Sequence, residues 1–379
     1  MSVRPFTIAV PASDLEDLED RLKKIRLPEI LERNDWDRGI NGKYLLEVID
    51  YWKNTYDWRK TEKELNSLHH FKTSISGIDV HFIHERGKGP NSTPIILTHG
   101  WPDSFLRYTN IIPMLTDPAR FGRDSKDSFD VVIPSLPGFG FSGYSCETSI
   151  NKETIADMWL ELMKNRLGYQ KFIAAGGDIG SGVTRYLSFK YPQHLLGIHL
   201  TDVNVIRELI EATDAKELSS ENRLYVEEAN SWLHNEAGYM NIQETKPQTL
   251  AIGLSDSPVG LAAWILEKFH SWRDPNSKLS LEEILTNISI YWFNNNISTA
   301  ARIYYENSHF LHPIGRTDVP TGFCLFHADM LLPPKEWAEN HFNVIHWANV
   351  SNGGHFTSME NPEEYTESLF AFHRRLDQL

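Results

Sequence analysis

The sequence predicts an α/β fold in which a helical segment interrupts a largely parallel sheet. From residue 73 onward, short apolar runs typical of buried strands alternate with helical stretches. This alternation breaks near residue 205, and residues 207–312 are mostly helical and rich in Tyr, Trp and Asn. Strand patterns then return, and a helix closes the chain. We therefore expect a core whose helical insertion, a lid, precedes its last two strands.

The first 72 residues are predicted to form an N-terminal helical extension. Ser13 and Glu16 have the spacing of a capping box ahead of an apolar run of helical period, and Pro28 should end that helix. A second amphipathic run extends from Tyr44 to Trp52. Neither segment carries residues in a catalytic pattern.

Seven runs in the rest of the chain are predicted to be strands. They are His81–His84, Pro94–Leu97, Phe129–Ile133, Lys171–Ala175, Leu196–Leu200, Thr321–Phe326 and Asn343–Trp347. The last helix should begin at Asn361-Pro362, with Asn as the cap and Pro at the first helical position. The predicted domain boundaries are residues 1–72 for the extension, 73–206 for the first part of the core, 207–312 for the lid and 313–379 for the last part of the core.

Composition excludes several classes of protein. The 379-residue chain has 41% hydrophobic residues and a net charge of −14, which argues against nucleic-acid binding and against an anionic membrane surface. No run approaches the roughly 20 apolar residues of a membrane-spanning helix, and the N-terminus lacks the pattern of a secretory signal. Two cysteines, Cys146 and Cys324, imply no disulfide framework. We therefore expect a cytoplasmic protein without a membrane anchor.

The segment KFIAAGGDIGSG, residues 171–182, carries the strongest chemical signal. A strand runs into Gly-Gly-Asp-Ile-Gly and a helix follows, which is the arrangement of a nucleophile elbow with Asp178 at its centre. Glycines are needed because the turn is strained and its neighbours approach closely. The alternative interpretation is that Asp178 only caps the following helix.

A second signal is His99-Gly100-Trp101-Pro102, directly after a predicted strand. In a fold with a nucleophile elbow, the α/β-hydrolase fold, this loop supplies one oxyanion-hole amide and the residue after the nucleophile supplies the other. That assigns the backbone N–H groups of Trp101 and Ile179. A simple turn at the end of a strand is the alternative.

A histidine and a second acid complete the pattern. Gly353-Gly354-His355 follows the last predicted strand, so His355 should lie at the carboxyl edge of the sheet, where sites in open α/β sheets form. Asp329 follows the strand before it, whereas Asp318 precedes that strand and Glu306 lies in the lid. The order Asp178, Asp329, His355 is the nucleophile–acid–base order of this fold.

An aspartate nucleophile favours attack at saturated carbon over ester hydrolysis, because attack on an ester gives only an anhydride. The natural leaving groups are an epoxide oxygen, which needs an acid, or a halide, which needs only weak donors. Tyr239 and the neighbours Tyr304 and Tyr305, all in the lid, offer hydroxyls for an epoxide oxygen. Composition alone leaves both reactions open.

These motifs resemble those of the α/β-hydrolase epoxide hydrolases, in particular the microsomal-type branch with its fungal and insect juvenile-hormone relatives. The segment RPFTIAVPASDLEDLEDRL is similar to the N-terminal region of that branch, which wraps around the core. The lid segments GYMNIQETKPQTLAIGLSDSPVGLAAWILEKF and ARIYYENS are also similar. The resemblance extends from Arg4 to the end of the chain.

The resemblance implies a role for each candidate residue. Asp178 matches the nucleophile, His355 the general base and Asp329 the acid that orients the base. Tyr239 and Tyr304 match the pair that binds and protonates the epoxide oxygen. Tyr305 is a rival for Tyr304, but helical neighbours point about 100° apart, so only one should face the site.

The implied activity is hydrolysis of hydrophobic aryl or alkyl epoxides to vicinal diols, with no cofactor and no metal. Water and the epoxide are the expected partners, a homodimer is possible, and detoxification and aromatic hydrocarbon catabolism are the roles that fit. Two alternatives remain: a haloalkane or haloacid dehalogenase with the same Asp-His-Asp set, and a non-catalytic ligand-binding protein on a hydrolase scaffold.

Overall fold

The computed structural model describes residues 2–29, 35–145, 147–203 and 219–379. In these residues nine strands form one sheet in the order β1-β2-β3-β5-β4-β6-β7-β8-β9. The strands are β1 (Arg4–Pro5), β2 (His70–Ile75), β3 (Ile78–Glu85), β4 (Thr93–Thr98), β5 (Phe129–Pro134), β6 (Phe172–Gly176), β7 (Leu195–Leu200), β8 (Thr317–Ala328) and β9 (Phe342–Gly354). Neighbouring strands are antiparallel from β1 to β5 and parallel across the rest of the sheet, which confirms the predicted α/β fold.

Helices surround this sheet and form the lid. Those before β8 are α1 (Ala12–Lys23), α2 (Gly42–Asn54), α3 (Trp58–Leu65), α4 (Ile112–Thr116), α5 (Lys152–Leu160), α6 (Ile179–Lys190), α7 (Ser220–Asn235), α8 (Gly238–Thr245), α9 (Pro247–Asp256), α10 (Pro258–Trp272), α11 (Leu281–Phe293) and α12 (Ile297–Phe310). After β8 come α13 (Lys335–Glu339), α14 (Thr357–Glu360) and α15 (Pro362–Leu376). Helices α7 to α12 form the lid, and its predicted first residue, 207, lies outside the described residues.

Alternate residues of the central strands enter opposite apolar cores because successive side chains of a strand point to opposite faces. On β4, Ile96 packs in one core with Val183 of α6. Its neighbours Ile95 and Leu97 pack in the other core with Leu369 of α15. Both faces are therefore covered, as the solid apolar strand sequences predict.

All seven predicted strands overlap observed ones, but β1 and β2 were not predicted. Strand β2 crosses the predicted boundary at residue 72, inside a segment interpreted as helical. It pairs with β3 through a turn at Ser76 and Gly77, whose φ values are +52° and +79°. Two successive residues with positive φ form the tight turn that hairpins favour, so this short polar hairpin depends on turn geometry more than on apolar periodicity.

The predicted capping box at Ser13 is wrong. Helix α1 begins at Ala12 after Pro11 and has no side-chain cap, while the Ser13 hydroxyl donates to the adjacent Asp14 carboxylate at 3.1 Å. The helix also ends at Lys23, before Pro28. By contrast, Asn361 caps α15 by accepting from the backbone N–H of Glu364, as predicted.

The N-terminal extension contacts the lid. Arg21 of α1 lies 3.1 Å from the carboxylate of Asp256 at the end of α9. Lys60 of α3 lies 3.0 Å from that of Glu282 in α11. These exposed ion pairs add little stability individually, but they show that the extension packs along the lid as well as the core.

Two sequence features concern the membrane and the cysteines. In the described ranges no single helix has the length and apolar character needed to cross a membrane. Helices α9 and α10 meet that test only together, and they are bent by 118° at the break between them. Cys324 is a buried free thiol, and Cys146 lies outside the described residues.

Candidate active site

A strained turn presents Asp178 between β6 and α6. Its φ is +57° and its ψ is −123°, a conformation that few non-glycine residues adopt. A Cβ atom on Gly180 would lie 1.9 Å from the carbonyl oxygen of Thr98, and one on Gly176 would lie 2.3 Å from that of Gly180. The glycines therefore let strand, turn and helix approach one another closely.

The Asp178 carboxylate points away from the helix that follows it. It makes no side-chain capping bond to α6. Its Oδ1 accepts a hydrogen bond of 2.9 Å from the backbone N–H of Trp101, the amide predicted for the oxyanion hole. Its Oδ2 lies 3.6 Å from Nε2 of His355. Ile179, the other predicted oxyanion donor, is the first residue of α6.

His355 and Asp329 meet at the carboxyl edge of the sheet. Asp329 follows β8 directly, His355 follows β9 directly, and His355 Nδ1 lies 3.0 Å from Asp329 Oδ1. Burial lowers the pKa of His355, but the charge and hydrogen bond of Asp329 raise it, and the net shift is upward. With Nδ1–H donated to Asp329, Nε2 is the basic atom that faces Asp178.

The two candidate tyrosines line the same cavity as Asp178. The Tyr239 ring stacks on Trp101 at 5.0 Å and 9°, and its centroid is 6.0 Å from that of Tyr304. Tyr305, the rival, stacks instead on His309 at 4.0 Å and does not line the cavity. Tyr304 is therefore the member of this helical pair that faces Asp178.

The candidate groups share one cavity of about 250 Å³ beneath the lid. Much of its described wall is apolar: Ile179, Val203, Trp232, Leu233, Met240, Met330, Leu331 and Pro333. A larger cavity of about 900 Å³ lies between α1 and the α9–α10 junction, and none of the candidate groups lines it. Among the described residues, no group of three or more His, Cys, Asp or Glu side chains could hold a metal ion.

Sequence reasoning missed a third carboxylate, Asp202. It lies just after β7 and accepts the backbone N–H of Asp178 at 2.7 Å and the hydroxyl of Ser181 at 2.8 Å. Burial raises its pKa to about 6, and the nearby charge of Asp329 adds to the shift. Its position at the carboxyl end of a predicted strand was the available signal. Asp202 therefore helps to fix the conformation of the turn at Asp178.

A buried ion pair beneath the site was also missed. Arg107 and Asp103 pair at the base of the Trp101 loop, where Asp103 accepts the Gly100 N–H at 3.0 Å. The Arg107 guanidinium donates to the carbonyl oxygen of His355 at 2.9 Å. The pair thus connects the loop that contains Trp101 to the loop that contains His355. The four-residue spacing of Asp and Arg after His-Gly-Trp-Pro was the only sequence signal.

The lid also contacts the His355 loop. The His355 N–H donates to the carbonyl of Trp272 at the end of α10, at 2.8 Å. Asp274, just beyond that helix, accepts from Gly353 at 2.8 Å and donates its own N–H to Glu360 at 2.8 Å. Burial raises the pKa of Glu360 to about 7 despite these backbone donors. His355 is therefore positioned by core and lid together.

Comparisons with known proteins give the family of the chain. Residues 3–108 match the family model "Epoxide hydrolase N terminus", and residues 93–256 match the model "alpha/beta hydrolase fold". Epoxide hydrolase 1 of Sus scrofa is 36% identical, over 100% of this chain and 90% of that protein.

Two solved structures are similar over nearly their whole length. Juvenile hormone epoxide hydrolase of the silkworm Bombyx mori has a TM-score of 0.89 and 28% identity, covering 100% of this chain and 95% of that one. Aspergillus niger epoxide hydrolase has a TM-score of 0.87 and 29% identity, covering 99% and 97%. The predicted α/β-hydrolase fold is confirmed, and the chain belongs to the epoxide hydrolase family.

Proposed function

We propose that this chain hydrolyses epoxides to vicinal diols through a covalent ester on Asp178. One observation carries the proposal: one carboxylate oxygen of Asp178 is held by the Trp101 amide, while the other faces His355 at 3.6 Å. A nucleophile, an oxyanion donor and a base are thus assembled around one carboxyl group.

In the first step Asp178 Oδ2 attacks an epoxide carbon from the side opposite the ring oxygen. The new C–O bond forms as the ring C–O bond breaks, and the oxygen takes a proton from Tyr239 or Tyr304. The products are an alkyl ester of Asp178 and a free hydroxyl group. A tyrosine O–H is suited to this because it donates to a developing alkoxide while staying protonated near neutral pH.

In the second step His355 Nε2 takes a proton from water, and the hydroxide oxygen attacks the ester carbonyl carbon of Asp178. The backbone N–H groups of Trp101 and Ile179 stabilise the oxyanion, a contribution worth ~10²–10³ in rate for one donor. The bond between the carbonyl carbon and the alkyl oxygen breaks, and that oxygen takes the proton from His355. The diol leaves with one oxygen from the carboxylate, and the proton left on the Asp178 carboxyl group returns to the tyrosine. Asp329 holds His355 in the tautomer that the proton transfer needs.

The tyrosine pair favours an epoxide over a halide. A departing halide needs only weak donors, whereas two phenols packed over the nucleophile suit an alkoxide. The dehalogenase alternative is therefore the weaker candidate. An assembled nucleophile, base and acid likewise disfavour a non-catalytic ligand-binding role.

The apolar cavity wall supports hydrophobic aryl or alkyl epoxides as the substrate class. Epoxide and water are then the reacting partners. A role in detoxification or aromatic hydrocarbon catabolism, a cytoplasmic location and a homodimer stay predictions.

The test is single-turnover hydrolysis of styrene oxide, with enzyme in excess, in ¹⁸O-labelled water. We expect unlabelled diol in the first turnover, and label in the peptide that contains Asp178, because the first oxygen comes from the carboxylate. Later turnovers should give labelled diol. Label in the diol from the first turnover would mean direct attack by water and would overturn the ester mechanism. Bromide release from bromoalkanes without diol formation would instead support a dehalogenase.

A further inference from the structure

A buried lysine lies against the ring of one of the two tyrosines. Lys268 of α10 places its Nζ 4.7 Å from the Tyr239 ring centroid and 5.7 Å from that of Trp272. Its side chain is only 8% exposed, and Nζ lies 2.5 Å from the carboxylate of Glu267. Lysines are rarely buried to this extent, so a cation held against an active-site phenol needs an explanation.

The two tyrosines differ in their surroundings. Tyr239 stacks face to face with Trp101, whereas Tyr304 meets the same indole edge-on at 5.9 Å and 86°. In the described part of the chain, the rings that Lys268 contacts are those of Tyr239 and Trp272. Burial raises the pKa of Tyr304 well above its ordinary value, and the neighbouring Tyr239 and Asp178 raise it further. Tyr239 is buried as well, so the contact with Lys268 is the difference between the two phenols that concerns charge.

Ring opening requires a proton donor whose phenolate form is stabilised. A tyrosine that gives its proton to the epoxide oxygen becomes a phenolate, and its negative charge spreads into the ring. An ammonium group close to that ring stabilises the charge as it develops, and the effect is stronger because the Lys268 side chain is buried. The same ammonium stabilises the neutral phenol far less.

We propose that Lys268 is a positioning residue that acts through Tyr239, making Tyr239 the proton donor in ring opening and leaving Tyr304 to hold the epoxide oxygen by a hydrogen bond. This inference rests on the proposed function. The Tyr239 proton moves to the oxygen as the ring C–O bond breaks. The proton released when water hydrolyses the Asp178 ester returns to the phenolate, so each cycle leaves the protein unchanged.

Lys268→Met leaves the other ionising residues around the cavity in place but removes the partner of Glu267. Besides its tyrosines, the described wall carries Lys152, Asp178, Asp202, Glu244, Asp329 and His355. Glu267 pairs with Lys268 on the same helix. A difference in pH profile that disappears in the Tyr239→Phe background therefore reports the effect of the Lys268 charge on Tyr239.

The first experiment compares Lys268→Met with Lys268→Arg in single-turnover ring opening. We expect K268M to slow ring opening roughly 10-fold and to move the alkaline limb of its pH profile to higher pH. K268R keeps the charge and should restore both. Thermal melting of each variant reports folding, and K268Q replaces K268M if the latter does not fold. A K268R as slow as K268M would overturn the proposal.

The second experiment combines K268M with Tyr239→Phe and, separately, with Tyr304→Phe. We expect K268M to change the ring-opening rate of Y239F by less than about twofold, but to slow Y304F as much as it slows the unchanged protein. Equal costs in the two backgrounds would assign Lys268 a general structural role. If the unchanged protein forms no diol, the proposed function fails. If it forms diol but the costs are equal, only this inference fails.

Discussion

His355 Nε2 lies 3.6 Å from Oδ2 of Asp178, just beyond hydrogen-bonding distance. The two side chains are therefore adjacent without a direct hydrogen bond between these two atoms. The same separation leaves His355 beside the carbonyl carbon of any ester that forms on Asp178. Nucleophile and base can thus act in separate steps without rearrangement of either loop.

His355→Gln should separate these two steps. The first step needs no base, so the variant should form the Asp178 ester and then stall. We expect intact-protein mass spectrometry to find the mass of the whole epoxide added. D178A/H355Q, which lacks the attacking carboxylate, should gain no mass, and an adduct on that double variant would locate the nucleophile elsewhere.

Asp329→Asn should both slow ester hydrolysis and move its pH dependence. Because Asp329 raises the pKa of His355, the base of the unchanged protein becomes protonated, and the rate falls, as the pH drops through that raised value. Without the carboxylate, burial dominates and the acid limb should move to lower pH. The plateau rate should fall by ~10² or more because the tautomer is no longer fixed.

The control for this prediction is Asp318→Asn. Asp318 lies at the opposite end of β8 with its side chain 97% exposed. Stopped-flow measurements of ester hydrolysis should find it unchanged in rate and pH profile. An acid limb that stays in place in D329N would show that another group sets the pKa of the base.

The variants Tyr304→Phe and Tyr305→Phe should show which of these two neighbouring tyrosines contributes to ring opening. Tyr304 lines the cavity, whereas Tyr305 stacks on His309. Y304F should slow ring opening by roughly 10²-fold, the cost of one hydrogen-bond donor to a developing oxyanion, because Tyr239 still supplies the proton. Y305F should keep nearly full activity in a diol-formation assay. The reverse order would mean that α12 is rotated relative to the structure.

Gly180→Ala should destabilise the protein severely, because its Cβ would lie 1.9 Å from the backbone oxygen of Thr98. Gly253→Ala is the matched control. Gly253 lies within α9 with no atom within 4 Å of an added Cβ, so alanine should stabilise the helix by about 0.5–1 kcal/mol. Urea unfolding of both variants tests this, and a G180A as stable as G253A would be inconsistent with the close contact.

Glu360→Gln should alter how stability depends on pH. The pKa of Glu360 is about 7 in the folded protein and near its ordinary 4.5 in the unfolded chain. Between these values the folded state binds more protons, so this group makes stability fall as pH rises, by up to about 1.4 kcal/mol per pH unit.

In E360Q that contribution disappears, and the profile between pH 4.5 and 7 should be less steep. Glu363→Gln, at an exposed position in the first turn of α15, should retain the original slope. Melting temperatures measured across this pH range provide the comparison. Parallel profiles for E360Q and the unchanged protein would contradict a raised pKa.

The sequence predicts those parts of the site that depend on local geometry. Asp178, Asp329 and His355 each directly follow a strand end or its glycine turn, so a few neighbouring residues determine where each lies. The turn glycines indicate the elbow, and the positions of Asp329 and His355 favour it over a helix cap at Asp178. Helical geometry predicts that only one of Tyr304 and Tyr305 faces the site, and the structure places Tyr304 in the cavity wall.

The remaining features depend on packing between segments far apart in the chain. Lys268 meets Tyr239 because the folded lid brings α10 and α8 together at these two residues, and neither helix sequence encodes that contact. Asp202 meets the Asp178 amide because two parallel strands end at the same level. Arg107 reaches the carbonyl of His355 across 248 positions of the chain. No periodicity or short motif reports such contacts.

The backbone bond from His355 to Trp272 limits how substrate enters. A lid that moved away from the core as one rigid body would displace the loop that carries His355. His355 would then lose its position each time the lid opened. Entry must therefore occur through movements within the lid, while its 272–274 segment stays fixed to the core. A hybrid enzyme that takes its lid from a relative would for the same reason need to retain this segment, or its histidine would lose its support.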